Sequence, residues 1–511
     1  MFAACSQNEE LTALDNNKDA TPETVDFSVY TPVTRAGTAG QMNNDLLQTT
    51  GFGVFAYYSD NERYSQYLKP NFMYNQHVTY ASNKWTYEPA KYWPNEFGTD
   101  AQSEDVDYVS FFAYAPYVKF VPSTGAVDVS EVQTATSGSL YGFDMTTQEG
   151  KDQAIDFLQK KNITGTIRNT STGDPLIKYA VDWDPATSVD LVWGVAKETV
   201  NYDVLSSGTI GTTAGQSVSV NQGMPFVDML KMKNGEKIQF LMCHALAWLN
   251  VQIDADINSN GTSGNVHGTD PFIDKHTKIW VRSITFDGFA AQGALNLNNE
   301  KPVTLTSTGD SPTTAVVGLA KWMDINGANE LETGSVTIYD GRKDGSEGVE
   351  SNEATSEKPH TLNPNLVQSK QYVFSDDPTN PINPYAAAGE LKEGAGHSGV
   401  TVTPQNLFNS DNAEAQIYVI PTSERVNVTI VYDVETADEN LATYLSDGLT
   451  RGSTIQNRIT KTKVFGDNVK LEAGKKYTLK LHLGMTDVKF EATVQEWLEG
   501  EGVNSNLPYN H

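Results

Sequence analysis

Cys5 carries the clearest pattern for chemistry in this chain. It follows the small residues Ala3 and Ala4, and a polar stretch without apolar periodicity continues to about Thr24. Small residues before a cysteine are typical of a bacterial lipobox, where a signal peptidase frees a cysteine that then carries acyl chains. We therefore expect Cys5 to be lipidated and residues 1–24 to form a tether to outer-membrane lipid. The alternative is an ordinary cysteine near a chain terminus.

Three other patterns each lack a part that their chemistry requires. Residues 256–261 match the first half of a calcium loop, but His267 stands at the twelfth position, where a bidentate carboxylate is needed, so a polar hairpin loop is the alternative. Cys243 and His244 are neighbours in an apolar run, and neighbours on a strand point to opposite faces. Residues 396–399 lack the spacing of a nucleophile elbow. We expect no catalytic residue, metal or cofactor, and hence no enzyme.

Charge and hydropathy argue against two further classes, nucleic-acid-binding proteins and proteins with membrane-spanning helices. The chain has 511 residues and a net charge of −28, without a basic cluster that could neutralise a run of phosphates, which argues against nucleic-acid binding. No segment approaches the roughly 18 consecutive apolar residues that a membrane helix needs. Membrane contact is therefore expected only through lipid on Cys5.

Short runs of β-branched and aromatic residues, separated by Gly, Pro, Asn and Asp, extend along nearly the whole chain. Any functional residue must therefore be held by the elements that these runs form. Such a pattern predicts an all-β fold of sandwich type. The predicted strands cover residues 25–30, 53–58, 108–114, 238–253, 279–286, 416–420, 426–432, 477–483 and 488–494. Short helices are predicted only over residues 152–158 and 440–444.

The length and a turn-rich stretch over residues 298–312 predict two domains. We place an N-terminal sandwich over residues 25–305 and a C-terminal sandwich over 306–511. The polar residues 340–399 read as a long loop insertion in the second domain. Four aromatic residues lie close together at Trp85, Tyr87, Tyr92 and Trp93, and they could form either a sugar-binding platform or part of the core.

Eight segments form a recognisable series in chain order: residues 53–57, 91–94, 111–116, 174–177, 189–193, 240–247, 418–421 and 494–497. Together these segments resemble the fimbrillin family, the pilins and related surface lipoproteins of certain Gram-negative anaerobes. The resemblance implies two tandem transthyretin-like (Greek-key) β-sandwiches with long loop insertions. It also implies export as a lipoprotein and assembly by strand exchange.

In similar pilins a protease cuts after an arginine and releases the lipid-tethered first strand. Arg35, followed by Ala36 in a Pro, Gly and Thr-rich stretch, is the matching position, and the displaced strand would carry Val25, Phe27 and Val29. Removing a strand uncovers an apolar groove and unpaired strand edges, which another strand can fill. By analogy the donor is the alternating C-terminal segment, whose residues are Val488, Phe490, Ala492, Val494 and Trp497. The alternative is that this segment completes its own domain.

The sequence thus favours a structural pilus subunit or a cell-surface adhesin located in a fimbrium at the outer membrane. Its expected partners are other copies of itself or related pilins, with host or bacterial surface receptors as further candidates. The second candidate is a surface lipoprotein that does not polymerise and binds glycans through exposed aromatic side chains.

Overall fold

The computed structural model describes residues 24–30, 42–60, 62–94, 107–140, 143–160, 162–183, 187–197, 200–202, 218–220, 223–229, 236–255, 277–298, 302–306, 314–318, 320–340, 405–406, 417–422, 425–444, 450–464, 470–483 and 488–496. Strands dominate these residues, so the predicted all-β class is confirmed.

The largest sheet contains the first described strand at one edge. Its strands, in spatial order, are β1 (Phe27–Tyr30), β14 (Ile238–His244), β10 (Val192–Ala196), β5 (Tyr108–Ala115), β2 (Phe52–Ser59), β3 (Met73–Ala81) and β4 (Lys84–Thr86), and β13 (Phe226–Met229) also pairs with β5.

In the described part of the chain, three other sheets have four or more strands each. The first consists of β20 (Lys321–Met323), β17 (Gln292–Asn296), β9 (Leu176–Ala180) and β8 (Ile163–Gly165). The second consists of β22 (Gln405–Asn406), β15 (Ala247–Ala255), β26 (Lys475–Leu483) and β27 (Val488–Glu496), with β23 (Ile417–Val419) also on β15. The third consists of β21 (Gly334–Asp340), β16 (Thr277–Phe289), β24 (Asn427–Tyr444) and β25 (Thr450–Val464).

Short two-stranded ribbons complete the described strands. They are β6 (Ser139–Leu140) with β7 (Phe143–Asp144), β11 (Val200–Tyr202) with β12 (Val218–Val220), and β18 (Pro302–Thr306) with β19 (Thr314–Gly318).

The largest sheet is buried on both faces because its central strands are apolar at nearly every position. On β2, Val54 and Ala56 belong to a cluster that also holds Phe27, whereas Phe55 and Tyr57 belong to a second cluster on the opposite face. The second cluster includes residues of β9 and β17, so those strands pack against that opposite face. The core that contains β1 therefore lies on one defined side of this sheet.

Three short helices lie between strands of the described chain. Helix α1 (Asn44–Thr50) begins where the Asn43 side chain accepts the Leu46 N–H at 2.8 Å, and it ends at Gly51, whose φ of 68° suits a glycine. Helices α2 (Ser130–Thr134) and α3 (Gln148–Lys160) share a small separate core. The helix predicted over residues 152–158 is thus present and longer than predicted.

The other helix prediction is wrong. Residues 440–444 lie in β24, which pairs with β25 to its end, where Tyr444 stands opposite Thr450. The division into two transthyretin-like sandwiches at residue 305 stays a prediction. Strands β15 and β16, which precede that boundary, pair with β26 and β24, which follow it.

Candidate functional site

The candidate site is the groove that β1 occupies at the edge of the largest sheet, which we call the β1 groove. Strand β1 runs parallel to β14, with Phe27 opposite Ile238 and Tyr30 opposite Leu241. Among the described strands, β14 is its only partner in the sheet. A strand held by one ladder can leave without breaking the hydrogen bonds between the remaining strands.

The inward side chains of this segment are part of the hydrophobic core. Val25 and Phe27 are buried, with Phe27 2% exposed, and Val29 is partly buried against the same cluster. The alternation of Val25, Phe27 and Val29 with polar Asp26 and Ser28 explains this, since alternate residues of a strand share a face.

Four aromatic rings surround the Phe27 ring. The distances between ring centroids are 6.2 Å to Phe52, 5.5 Å to Tyr87, 5.9 Å to Phe111 and 5.9 Å to Phe240. These spacings lie in the range in which aromatic pairs attract each other beyond their area of burial. Phe27 is therefore the main apolar anchor of the first strand.

Polar contacts fix the beginning of the segment. The Val25 N–H donates to the Lys91 carbonyl at 2.9 Å, and the Tyr87 hydroxyl donates to the Val25 carbonyl at 2.7 Å. The Ile238 N–H donates to the Asp26 carbonyl at 2.9 Å. Burial raises the pKa of Tyr87 to about 12, so its hydroxyl keeps its proton and stays a donor at neutral pH.

The other end of the segment is more exposed. Tyr30 is 38% exposed, and the Lys197 ammonium lies 3.9 Å from the centroid of its ring. This distance permits a cation–π attraction, which is weak at a site open to water.

The chain is anchored again at Met42, after the residues that contain Arg35. The Met42 side chain is buried, and its N–H donates to Asp190 Oδ2 at 3.4 Å. The same carboxylate oxygen lies 2.7 Å from Nδ1 of His244, the last residue of β14. Both side chains are buried, so the carboxylate needs these donors to offset its lost hydration.

The structure brings together the predicted residues of the first strand. Val25, Phe27 and Val29 all contribute to one core cluster. Cys5, Arg35, Ala36 and Trp497 lie outside the described residues, and so do residues 256–261 and 396–399.

The predicted donor segment lies in a sheet of its own chain. Strand β27 is antiparallel to β26, and Val488, Phe490, Ala492 and Val494 stand opposite Leu483, Leu481, Leu479 and Tyr477. Of these partners, Tyr477, Leu479 and Leu481 are buried. β27 is the last strand of that sheet and pairs only with β26 among the described strands. Whether it donates stays a prediction.

The structure also describes the cysteine and the aromatic residues that the sequence analysis singled out. Burial raises the pKa of the partly buried Cys243 thiol to about 12, which leaves almost no thiolate at neutral pH.

Of the four clustered aromatic residues, Trp93 is buried, and Trp85 and Tyr87 pack against the Phe27 cluster, whereas Tyr92 is 43% exposed. Within the described part of the chain, no three His, Cys, Asp or Glu side chains gather as a metal site would require.

Sequence reasoning missed the Asp190–His244 pair. Asp190 stands between Val189 and Leu191, directly before an apolar strand, and an acidic residue in such a run is a signal for a buried partner. His244 could not be assigned as that partner from sequence, because the contact depends on the pairing of β10 with β14, in which Val192 stands opposite His244.

Part of the chain is similar in sequence to a known fimbrial protein. It is 37% identical over 119 residues to the fimbrium subunit Fim1C of Phocaeicola vulgatus. This match confirms the resemblance to fimbrillin-like proteins that the sequence predicted. The match covers 23% of this chain and 28% of the length of that subunit. No protein-family model matches.

Several solved structures align with nearly the whole length of this chain. A fimbrial protein from Bacteroides vulgatus aligns with 93% of this chain and 99% of its own length, at 19% identity and a TM-score of 0.42. Among the described residues, no helix is both long and apolar enough to span a membrane.

Proposed function

We propose that this chain is a structural fimbrial subunit or a closely related cell-surface adhesin. The observation that carries the proposal is the position of β1, an edge strand whose inward residues nevertheless fill the core. The sequence match to a fimbrium subunit supports the same role. In this proposal the protein is exported as a lipoprotein, and acylated Cys5 attaches it to the outer membrane.

Cleavage after Arg35 would separate β1 from the rest of the chain. Among the described residues, those upstream of the cut would then be held by the ladder to β14, the contacts at Val25, the packing of Phe27 and Val29, and the contact of Tyr30 with Lys197. The residues downstream would remain attached through buried Met42 and its hydrogen bond to Asp190. Loss of β1 would expose apolar rings and an unpaired edge of β14, which favours binding of another strand.

The donor in this proposal is the segment from Val488 to Val494, with Trp497, of another copy or a related pilin. To donate, β27 has to exchange its ladder with β26 for a ladder with β14 of the neighbour. Among the described strands, the exchange breaks no other ladder, because β27 is the last strand of its sheet there. Surface receptors would be bound by the assembled fibre or by the adhesin itself.

The test of this function is assembly after limited cleavage. Trypsin at low concentration should remove the first strand and yield ladders of oligomers on a gel. A Phe490→Asp, Val494→Asp double variant should stay monomeric, because a charge in a dry groove costs several kcal/mol. A matched control, Lys489→Glu, changes charge at a polar position of the same strand and should still assemble.

Each result has a defined meaning. A cleaved wild-type chain that stays monomeric contradicts the fimbrial role. A double variant that forms fibres normally contradicts donation by β27. If the double variant unfolds before cleavage, β27 belongs to the core of its own domain, and the donor assignment is wrong.

A further inference from the structure

We propose that the β1 groove selects its occupant by an aromatic residue at the position of Phe27 and accepts it in one direction, parallel to β14. The inference rests on the proposed strand exchange and adds the chemistry of the partner. The occupant is an extended segment of another subunit with an aliphatic residue two positions before the aromatic one and another aliphatic residue two positions after it.

The surroundings of Phe27 form a pocket that fits a ring. Its walls are Phe52, Tyr87, Phe111 and Phe240, each within 6.2 Å between centroids. Gly194 of β10 gives Phe240 room, because a Cβ atom at this glycine would lie 2.7 Å from Phe240 Cδ1. An aliphatic side chain in place of Phe27 would lose the ring contacts, and a small one would leave a cavity.

The two ends of the groove differ, which gives it a direction. At the beginning, the Lys91 carbonyl and the Tyr87 hydroxyl bind the backbone at Val25. At the end, the Lys197 ammonium lies over the ring at Tyr30. A reversed segment would bring its last residue to the backbone partners and its first residue to the cation, so both sets of contacts would be lost.

The same spacing occurs in the candidate donor. Val488, Phe490 and Ala492 repeat the separation of Val25, Phe27 and Val29, with alternating polar residues between them. If this segment enters the groove as β1 does, Phe490 takes the position of Phe27.

The test uses the full chain with a specific protease site inserted between Gly37 and Thr38, cut after folding. Fluorescent peptides are added, and exchange is followed by anisotropy. The peptides are the sequence of residues 24–30, the same sequence with Phe27→Ala, the same with Phe27→Leu, and the reversed sequence. Loss of the ring should weaken binding at least about 100-fold for Ala, since Phe→Ala in a core costs roughly 3–5 kcal/mol and each 1.4 kcal/mol is tenfold. The affinity of the Leu peptide should lie between those of the natural and Ala peptides, and the reversed peptide should not displace the natural one.

The same measurements are repeated in a cut chain that carries Phe27→Ala, whose own first strand is a weaker competitor. Binding of the Ala peptide within threefold of the natural one, equal binding of the reversed peptide, or no exchange in either chain would overturn the inference. Fibre formation is scored separately. Binding that depends on Phe27 of the peptide, without fibres, would support the inference and contradict the fimbrial role. Fibres together with peptides that bind equally with and without Phe27 would support the fimbrial role and contradict the inference.

Discussion

Replacing Phe27 by alanine in the uncut chain measures how strongly the first strand is held. The ring is 2% exposed and contacts four aromatic neighbours, so its removal loses both buried area and ring contacts. Phe→Ala substitutions in cores cost about 3–5 kcal/mol, and an edge strand can relax toward the space left behind, which favours the lower end of that range. We expect a loss of about 3 kcal/mol in the free energy of unfolding or of local opening.

The assay combines urea unfolding with limited proteolysis of the first strand. Local opening and global unfolding respond differently, because a segment held by one ladder can open while the rest of the domain stays folded. We expect Phe27→Ala to accelerate cleavage upstream of residue 42 more than it lowers the midpoint of global unfolding. Each 1.4 kcal/mol corresponds to a tenfold larger population of the open form.

Tyr30→Ala is the matched control on the same strand. Its ring is 38% exposed and its contact to Lys197 is open to water, so we expect a loss of about 1 kcal/mol or less. A Phe27→Ala cost no larger than that of Tyr30→Ala would refute the assignment of Phe27 as the anchor.

Two further predictions concern buried groups near β14. Asp190→Asn should lower the free energy of unfolding by about 3 kcal/mol, because it removes the charge that the buried His244 and the Met42 N–H face, and exposed Asp60→Asn should change it by less than about 0.5 kcal/mol. In a Cys5→Ser background, Cys243 should react with iodoacetamide at pH 8 only after unfolding, since burial raises its pKa to about 12 and the thiolate is the nucleophile. Equal stability of both Asp variants, or rapid alkylation of the folded chain, would contradict these assignments.

The strands were predictable because their signal is local. All nine predicted strand segments contain strands in the structure, since β-branched and aromatic residues alternate or run together in each one. Helix α1 was not predicted. Asn43 caps it and Gly51 follows its last turn, but a helix of seven residues leaves too short a periodic pattern to stand out.

The helix predicted at residues 440–444 is absent because strand pairing overrides the local helix propensity. Its residues have moderate helix propensity, but they continue a long hairpin in which β24 and β25 pair through an irregularity between Asp438 and Ala442. Tertiary pairing of this kind overrides propensity, because each added ladder bond is worth more than the small difference between conformations.

Long-range contacts in the β1 groove could not be predicted from the sequence at all. Phe27 faces Phe240, and Asp190 meets His244 across two strands that pair only in the folded sheet. Alternation shows which residues of a strand point inward, but it does not show which distant strand lies beside them. The sequence therefore identified Val25, Phe27 and Val29 as a set and left their partners unknown.

The walls of the β1 groove come from a part of the chain that the proposed cleavage would leave intact. All four rings around Phe27 come from residues 52–240, downstream of the second anchor at Met42. The β2–β5 and β5–β10 ladders between them do not involve β1. A cut between residues 30 and 42 therefore breaks no contact within the walls of the groove. What it removes is the covalent link that gives the native first strand a high effective concentration, and without that link a strand from another molecule competes on affinity alone.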